Sequence, residues 1–132
     1  MKTYKFACNK LVRDKTIERM NAKNMHCHFH IANEEKYLAG LKEKLIEEAL
    51  EVKDAKNRTE LIDEMVDVLE VLHALCKASN ISLEEVEKKQ HETRNLRGGF
   101  TEKIYLEYFE LAQDNPLVAD FKSRSDKYPE IE

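Results

Sequence analysis

The sequence is poor in the residues that β-rich and disulfide-stapled folds require. It has 3 glycines and 2 prolines in 132 residues, too few for the many turns of an all-β domain. Its three cysteines, Cys8, Cys27 and Cys76, are widely spaced and include no CxxC pair. Because their number is odd, they cannot all form disulfides, which indicates reduced thiols rather than a disulfide framework. We therefore expect a cytoplasmic protein built mainly from helices.

The sequence also lacks a basic excess and a long apolar run. A formal net charge of -4 argues against a general nucleic-acid binder, which normally carries a basic patch. No apolar run approaches the roughly 18 residues of a transmembrane helix, and the first residues lack the apolar core of a signal peptide. These absences predict that the protein binds neither nucleic acid nor a membrane.

What the chain does contain is typical of charged helices. Charged residues make up 36% of the sequence and hydrophobic residues 42%, with many stretches of Leu, Glu, Lys and Ala. The length suits one domain, residues 1–132, and is too short for two. Residues 115–132 are polar and are expected to form a loosely held tail. The predicted fold class is all-α, a helical bundle.

Capping signals place the helices along the chain. A short helix is predicted near residues 14–24, and Asn33 is a candidate N-cap for a long helix through about residue 54. Residues 57–60 read as a capping box that opens a second long helix, and Ser82 begins another that should end at Gly98–Gly99.

Two segments instead predict short strands. Residues 26–31 alternate in polarity, and residues 103–108 could pair with them as one β-ribbon. His26, His28 and His30 would then share one face, but residues two apart on a strand are separated by almost 7 Å. That spacing is awkward for one metal ion, so we interpret the histidines as ordinary strand residues.

An internal repeat is the most informative feature of the sequence. Residues 45–52 and residues 61–68 both read L-I-acid-E-x-x-acid-V, 16 positions apart. Because the connection between the two helices is short, they should form an antiparallel hairpin in which each repeat faces the other.

Helical spacing brings four acids of the repeat to the seam of this hairpin. Residues three and four apart share a helix face, so these acids lie beside the apolar positions: Glu48, Glu51, Glu64 and Asp67. Two carboxylates about 5 Å apart repel by roughly 3 kcal/mol at an effective dielectric constant near 20. One ExxE pair would mean little, but two matched pairs predict a site for Mg²⁺, which prefers carboxylate oxygens. Among the four, Glu64 has the most apolar neighbours in the sequence.

Three ordered motifs resemble a known family. They are E-E-x-x-E at residues 47–51, followed after twelve residues by E-x-x-D at 64–67, the segment 9–15, and R-G-G-F at 97–100. Together they resemble the MazG-like all-α nucleoside triphosphate pyrophosphatases, in a house-cleaning subgroup related to phosphoribosyl-ATP pyrophosphohydrolase. One departure is Thr16-Ile17-Glu18, where the subgroup often has Ile-Pro-Glu.

The resemblance implies a fold, a reaction and a set of residues. It implies a helical bundle completed by self-association, as a dimer or larger homo-oligomer. The implied reaction is Mg²⁺-dependent hydrolysis of NTP or dNTP to NMP or dNMP and pyrophosphate, with Mn²⁺ as an alternative metal. The metal ligands carry over to Glu48, Glu51, Glu64 and Asp67, and Glu47 joins them in the catalytic set as a supporting acid. Although helical spacing points Glu47 away from the seam, a role behind the ligands or toward a partner subunit stays open.

Basic residues within the other two motifs are candidates for binding the phosphates of the nucleotide substrate. They are Lys10, Arg13, Lys15 and Arg97, and ordinary surface charge is the alternative interpretation. Two further functions remain open at this point. One is phosphoribosyl-ATP hydrolysis, and the other is a non-catalytic helical module that binds partner proteins.

Overall fold

The computed structural model describes residues 1–132 and is entirely helical. It has five helices and no strand: α1 (Thr16–Asn21), α2 (Glu34–Asp54), α3 (Arg58–Ala78), α4 (Leu83–Arg97) and α5 (Val118–Ser123). The chain divides into two compact units, residues 1–93 and residues 94–132. The predicted all-α fold class is confirmed, and no helix is long and apolar enough to cross a membrane.

The two long helices start where their capping residues predict. The Asn33 side chain accepts a hydrogen bond from the backbone N–H of Lys36, at 2.8 Å, at the start of α2. The Asn57 side chain accepts from the N–H of Glu60 at 2.9 Å at the start of α3. The Glu60 carboxylate in turn accepts from the N–H of Lys56, one residue earlier than in a standard capping box. The two bonds to Asn33 and Asn57 each satisfy a backbone donor that the first turn leaves free.

Helices α2 and α3 pack against each other and form the centre of the first unit. The connection, residues 55–57, is short enough that the helices must run antiparallel, as predicted. Leu41 of α2 and Val71 of α3 are the two buried hydrophobic residues, and the one buried charged residue is Glu48. The core is therefore small, and an acid lies within it.

Helix α4 begins and ends as predicted. The Ser82 hydroxyl accepts a hydrogen bond from the N–H of Glu85, at 3.1 Å. At the other end, the N–H of Gly98 donates to the carbonyl of Arg94 at 2.7 Å. Gly98 adopts a φ of 82°, a conformation that glycine takes at no steric cost, and this ends the helix.

The predicted β-ribbon is wrong. Residues 26–31 and 103–108 form no strand, and the one backbone hydrogen bond in either segment joins the N–H of Lys103 to the carbonyl of Phe100, within a turn. A strand requires a neighbouring strand for its backbone groups, and alternating polarity alone supplies none. The first helix is also shorter than predicted, because the chain turns at Asn24, which has a φ of 60°.

The second unit contains a small aromatic cluster. Phe121 of α5 lies edge-on to Phe109 and Tyr128, with ring centroids 4.7 and 5.2 Å away. The Arg124 guanidinium lies over the Phe121 and Tyr128 rings, 4.8 and 5.2 Å from their centroids. The single-domain organisation and the loosely held tail stay predictions.

Candidate metal centre

Four carboxylates converge between α2 and α3. One oxygen from each of Glu48, Glu51, Glu64 and Asp67 lies within 4.8 Å of the others. Each helix supplies two of these acids, three residues apart, so both members of a pair emerge from one face. The geometry brings together the four residues that the internal repeat predicts as metal ligands; their role as ligands stays a prediction.

The four acids differ in burial. Glu48 is buried, with 7% of its surface exposed, whereas Glu64 and Asp67 are half-buried and Glu51 is exposed. In the sequence, Glu64 has the most apolar neighbours, whereas the most buried of the four acids in the structure is Glu48. The burial of Glu48 depends on how the two helices pack, which periodicity along one helix does not define.

Two carboxylate oxygens in this cluster lack any hydrogen-bond partner. Glu48 Oε2 and Glu64 Oε2 are both buried from solvent and unpaired. Buried polar atoms are rarely left in this state, because losing hydration without compensation is costly. Free oxygens in an all-carboxylate set fit a hard divalent cation such as Mg²⁺ or Mn²⁺. The cluster therefore passes a chemical test for a divalent metal centre.

The electrostatics agree with this interpretation. Burial raises the pKa of Glu48, and its close contact with the carboxyl of Glu51 raises it further, against an opposing effect of Lys44. The pKa of Glu51 is also raised, chiefly by its contact with Glu64. With no cation among the acids, the charged form of Glu48 is thus disfavoured by its neighbour Glu51, and that of Glu51 by Glu64.

Glu47 lies beside the cluster and makes different contacts. Lys10 Nζ donates to Glu47 Oε1 at 2.7 Å, and Lys44 Nζ donates to Glu47 Oε2 at 3.3 Å. The hydrogen bond from Lys10 and the nearby Lys44 lower the pKa of Glu47. The same contact raises the pKa of Lys10. Glu47 is therefore an ionised partner of two lysines rather than a member of the four-acid cluster, which agrees with a supporting role.

The N-terminal segment places a basic side chain directly beside the four-acid cluster. Arg13 Nη2 donates to Asp67 Oδ1 at 2.8 Å. Between the two basic residues, Leu11 packs on Gly40 of α2, where an added Cβ would lie 2.8 Å from Leu11 Cδ1. The absence of a side chain at Gly40 thus allows the segment to lie close against α2. Of the four predicted phosphate-binding residues, Lys10 and Arg13 lie beside the acids.

The other two predicted phosphate-binding residues are placed differently. Lys15 is exposed and immediately precedes α1, where its carbonyl accepts from the N–H of Arg19. Arg97 is the exposed last residue of α4, in the second unit. Neither makes an ion pair, and their role in substrate binding stays a prediction.

The three histidines of residues 26–31 lie outside the four-acid cluster. The rings of His26 and His28 meet edge-on with centroids 4.9 Å apart, and His30 Nε2 lies 3.0 Å from Lys36 Nζ. The four-acid cluster is the one group of His, Cys, Asp or Glu residues in the chain with the spacing to hold a metal ion. The strand predicted for these histidines does not form, and their interpretation as ordinary residues stays a prediction.

Sequence reasoning missed Lys44. This half-buried lysine lies three residues before Glu47 and four before Glu48, and contacts both, at 3.3 and 3.4 Å. This sequence spacing alone predicts that Lys44 lies on the same helix face as both acids, so it could have been found from the sequence.

Comparison with known proteins identifies one matching family. The family model described as Phosphoribosyl-ATP pyrophosphohydrolase matches residues 15–94, more than half of the chain. The match includes Glu47 and all four acids of the cluster, and it begins after Lys10 and Arg13. No curated protein and no solved structure gives a significant match. The chain belongs to the phosphoribosyl-ATP pyrophosphohydrolase family, a MazG-like all-α family of nucleotide pyrophosphohydrolases that hydrolyse phosphorus-containing anhydrides.

Proposed function

We propose that this protein is a Mg²⁺-dependent nucleoside triphosphate pyrophosphohydrolase that converts NTP or dNTP and water into NMP or dNMP and pyrophosphate. The observation that carries the proposal is the four-carboxylate cluster with two unpaired buried oxygens. Lys10 and Arg13, which lie beside it, add positive charge where a polyphosphate would approach. Non-canonical nucleotides are the proposed physiological substrates.

The acidic and basic residues of the site have different proposed roles in catalysis. Glu48, Glu51, Glu64 and Asp67 would hold the divalent cation, which neutralises phosphate charge and acts as a Lewis acid toward phosphate oxygens. Lys10 and Arg13 would bind the phosphate oxygens and orient the chain of phosphates. A carboxylate oxygen of the cluster would orient the attacking water and accept its proton. As the new bond to phosphorus forms, the anhydride bond between the α and β phosphates breaks and pyrophosphate leaves.

Phosphoribosyl-ATP is the second candidate substrate, because the matching family model is described by that activity. It contains the same triphosphate, so the acidic cluster serves either reaction equally. A non-catalytic interaction module is disfavoured, since the chain belongs to an enzyme family and partner helices have no need of converging carboxylates.

A panel of nucleotides tests the substrate proposal. Canonical and oxidised or deaminated triphosphates, together with phosphoribosyl-ATP, would be incubated with the full chain and Mg²⁺ while pyrophosphate is measured. The proposal predicts the highest kcat/KM for a non-canonical triphosphate. A preference for phosphoribosyl-ATP by more than tenfold would favour the second candidate instead.

We also propose that the chain works as a homodimer or larger homo-oligomer. The supporting observation is apolar surface on the two central helices, where Ile46 of α2 is 65% exposed and Met65 of α3 is 55% exposed. Leu50, Val66 and Leu69 on the same helices are also exposed, and large apolar side chains exposed in such numbers are typical of a protein–protein interface. Light scattering at micromolar concentration should give at least twice 15.5 kDa, and a mass near 15.5 kDa would contradict the proposal.

A further inference from the structure

Lys44 connects the acidic cluster to the N-terminal segment. Its ammonium lies 3.4 Å from Glu48 Oε1 and 3.3 Å from Glu47 Oε2, while the other oxygen of Glu47 accepts from Lys10. The contacts therefore form a continuous chain from Lys10 through Glu47 and Lys44 to Glu48. Lys44 is the one basic residue that forms ion pairs with both Glu47 and a member of the four-acid cluster.

The burial of this contact distinguishes it from an ordinary ion pair on a helix surface. The Lys44 side chain is 19% exposed, and Glu48 is the buried charged residue of the chain. Exposed pairs at this spacing contribute little, because water solvates both partners and screens the charges. Water has little access to Glu48, so its contact with the ammonium replaces hydration that the carboxylate has lost.

The contact also determines which Glu48 oxygen is available. Lys44 lies against Oε1, whereas Oε2 is buried without a partner. With Lys44 in place, one oxygen is anchored and the other is left for a cation. Without it, neither Glu48 oxygen would have a cationic partner in the protein, and the side chain would gain by rotating out of the cluster toward water.

We propose that Lys44 is a positioning residue that holds the Glu48 carboxylate in its metal-binding orientation and, through Glu47, fixes Lys10 beside the cluster. The assignment rests on the proposed function, since it assumes that the four acids bind a divalent cation. A lysine near a cation would ordinarily repel it, but here the Lys44 ammonium is paired with Glu47 at 3.3 Å, which offsets part of that repulsion although Glu47 also pairs with Lys10. We therefore expect that removing Lys44 weakens cation binding, because losing the positioning of Glu48 outweighs losing the repulsion between Lys44 and the cation.

The test measures Mn²⁺ affinity in the full chain by calorimetry, without nucleotide. Lys44→Met keeps an apolar stem of similar length and removes the charge, and Lys44→Arg keeps the charge and the hydrogen-bond donors. Lys89→Met is the matched control, because Lys89 forms an i,i+3 pair with Glu92 while 78% exposed on α4. Circular dichroism would show that each variant retains its helices.

The proposal predicts that Lys44→Met weakens Mn²⁺ binding at least tenfold, that Lys44→Arg stays within threefold of the parent, and that Lys89→Met is unchanged. Tighter Mn²⁺ binding by Lys44→Met would overturn it, because Lys44 would then act only as a competing charge. Unchanged binding would overturn it too, leaving an ordinary ion pair. Pyrophosphate release by the parent chain is measured separately, so a failure of the proposed reaction is distinguishable from a failure of this assignment.

Discussion

Replacing Glu64 by glutamine changes the charge of the acidic cluster while nearly preserving its shape. Glu64 contributes one of four carboxylates that lie within 4.8 Å of one another, and its Oε2 is buried without a partner. Without metal, the variant removes repulsion between the residue at this position and the other three acids. With metal, it replaces a charged oxygen ligand by a neutral amide.

The two effects have opposite signs and comparable sizes. One carboxylate pair about 5 Å apart repels by roughly 3 kcal/mol at an effective dielectric constant near 20. Water screens part of this repulsion, because Glu51 is exposed and Asp67 is half-buried, so we expect a net gain of about 1 kcal/mol without metal. For a chain of this length, that corresponds to a Tm increase of roughly 3–5 °C.

With metal present, the variant should lose most of its stabilisation by the ligand. Removing residues that merely support metal ligands typically weakens binding by about 10–100-fold, so removing a ligand should cost at least about tenfold. At saturating Mg²⁺, each tenfold loss of affinity lowers the stabilisation by about 1.4 kcal/mol. Activity should fall by orders of magnitude, since holding the cation is the proposed role of the cluster.

Calorimetric melting of the parent and Glu64→Gln, with chelator and with Mg²⁺, measures both effects. Glu70→Gln is the matched control, because Glu70 is an exposed acid on the same helix outside the cluster. The control should show the parent's Tm response to Mg²⁺. If Glu64→Gln is instead clearly destabilised in chelator and keeps the full Mg²⁺ response, Glu64 has a structural role and the reasoning is refuted.

Three further predictions follow from the site. Arg13→Gln should raise KM for the nucleotide at least tenfold while changing Mn²⁺ affinity by less than threefold, since Asp67 is partly exposed and water can replace its contact with Arg13; a larger loss of Mn²⁺ affinity in calorimetry would contradict this. In chelator, Tm should rise as the pH falls from 7 toward 5. The reason is that the raised pKa values of Glu48 and Glu51 make the folded chain bind protons more tightly than the unfolded chain. Saturating Mg²⁺ should weaken that rise, and a fall in Tm over the same pH range would contradict the prediction. Gly40→Ala should displace Leu11 and lower kcat/KM while leaving the helix content intact by circular dichroism, and unchanged kinetics would show that the close approach is dispensable.

Local signals in the sequence were sufficient for the long helices and for the membership of the cluster. Asn33, Asn57 and Ser82 cap helices by side-chain hydrogen bonds to the backbone, an interaction confined to a few neighbouring residues. The four acids were predictable because an i,i+3 spacing repeated on two helices joined by a short connection leaves few alternative arrangements.

Features that depend on tertiary packing were not predictable in this way. Residues 26–31 alternate in polarity as a strand does, yet no neighbouring strand pairs with them. The deeper burial of Glu48 relative to Glu64 follows from how α2 and α3 meet, and the contact of Arg13 with Asp67 joins residues far apart in sequence. The i,i+3 and i,i+4 spacing of Lys44 to the acids was visible in the sequence, but the proposed positioning role of Lys44 depends on the burial of Glu48, which was not.

The most direct test of the proposed function is chromatography of the products formed from a nucleoside triphosphate. With Mg²⁺ present, the account predicts nucleoside monophosphate and pyrophosphate in equal amounts, and no hydrolysis in excess chelator. Nucleoside diphosphate and orthophosphate as the primary products, or hydrolysis that continues at the same rate in chelator, would contradict it.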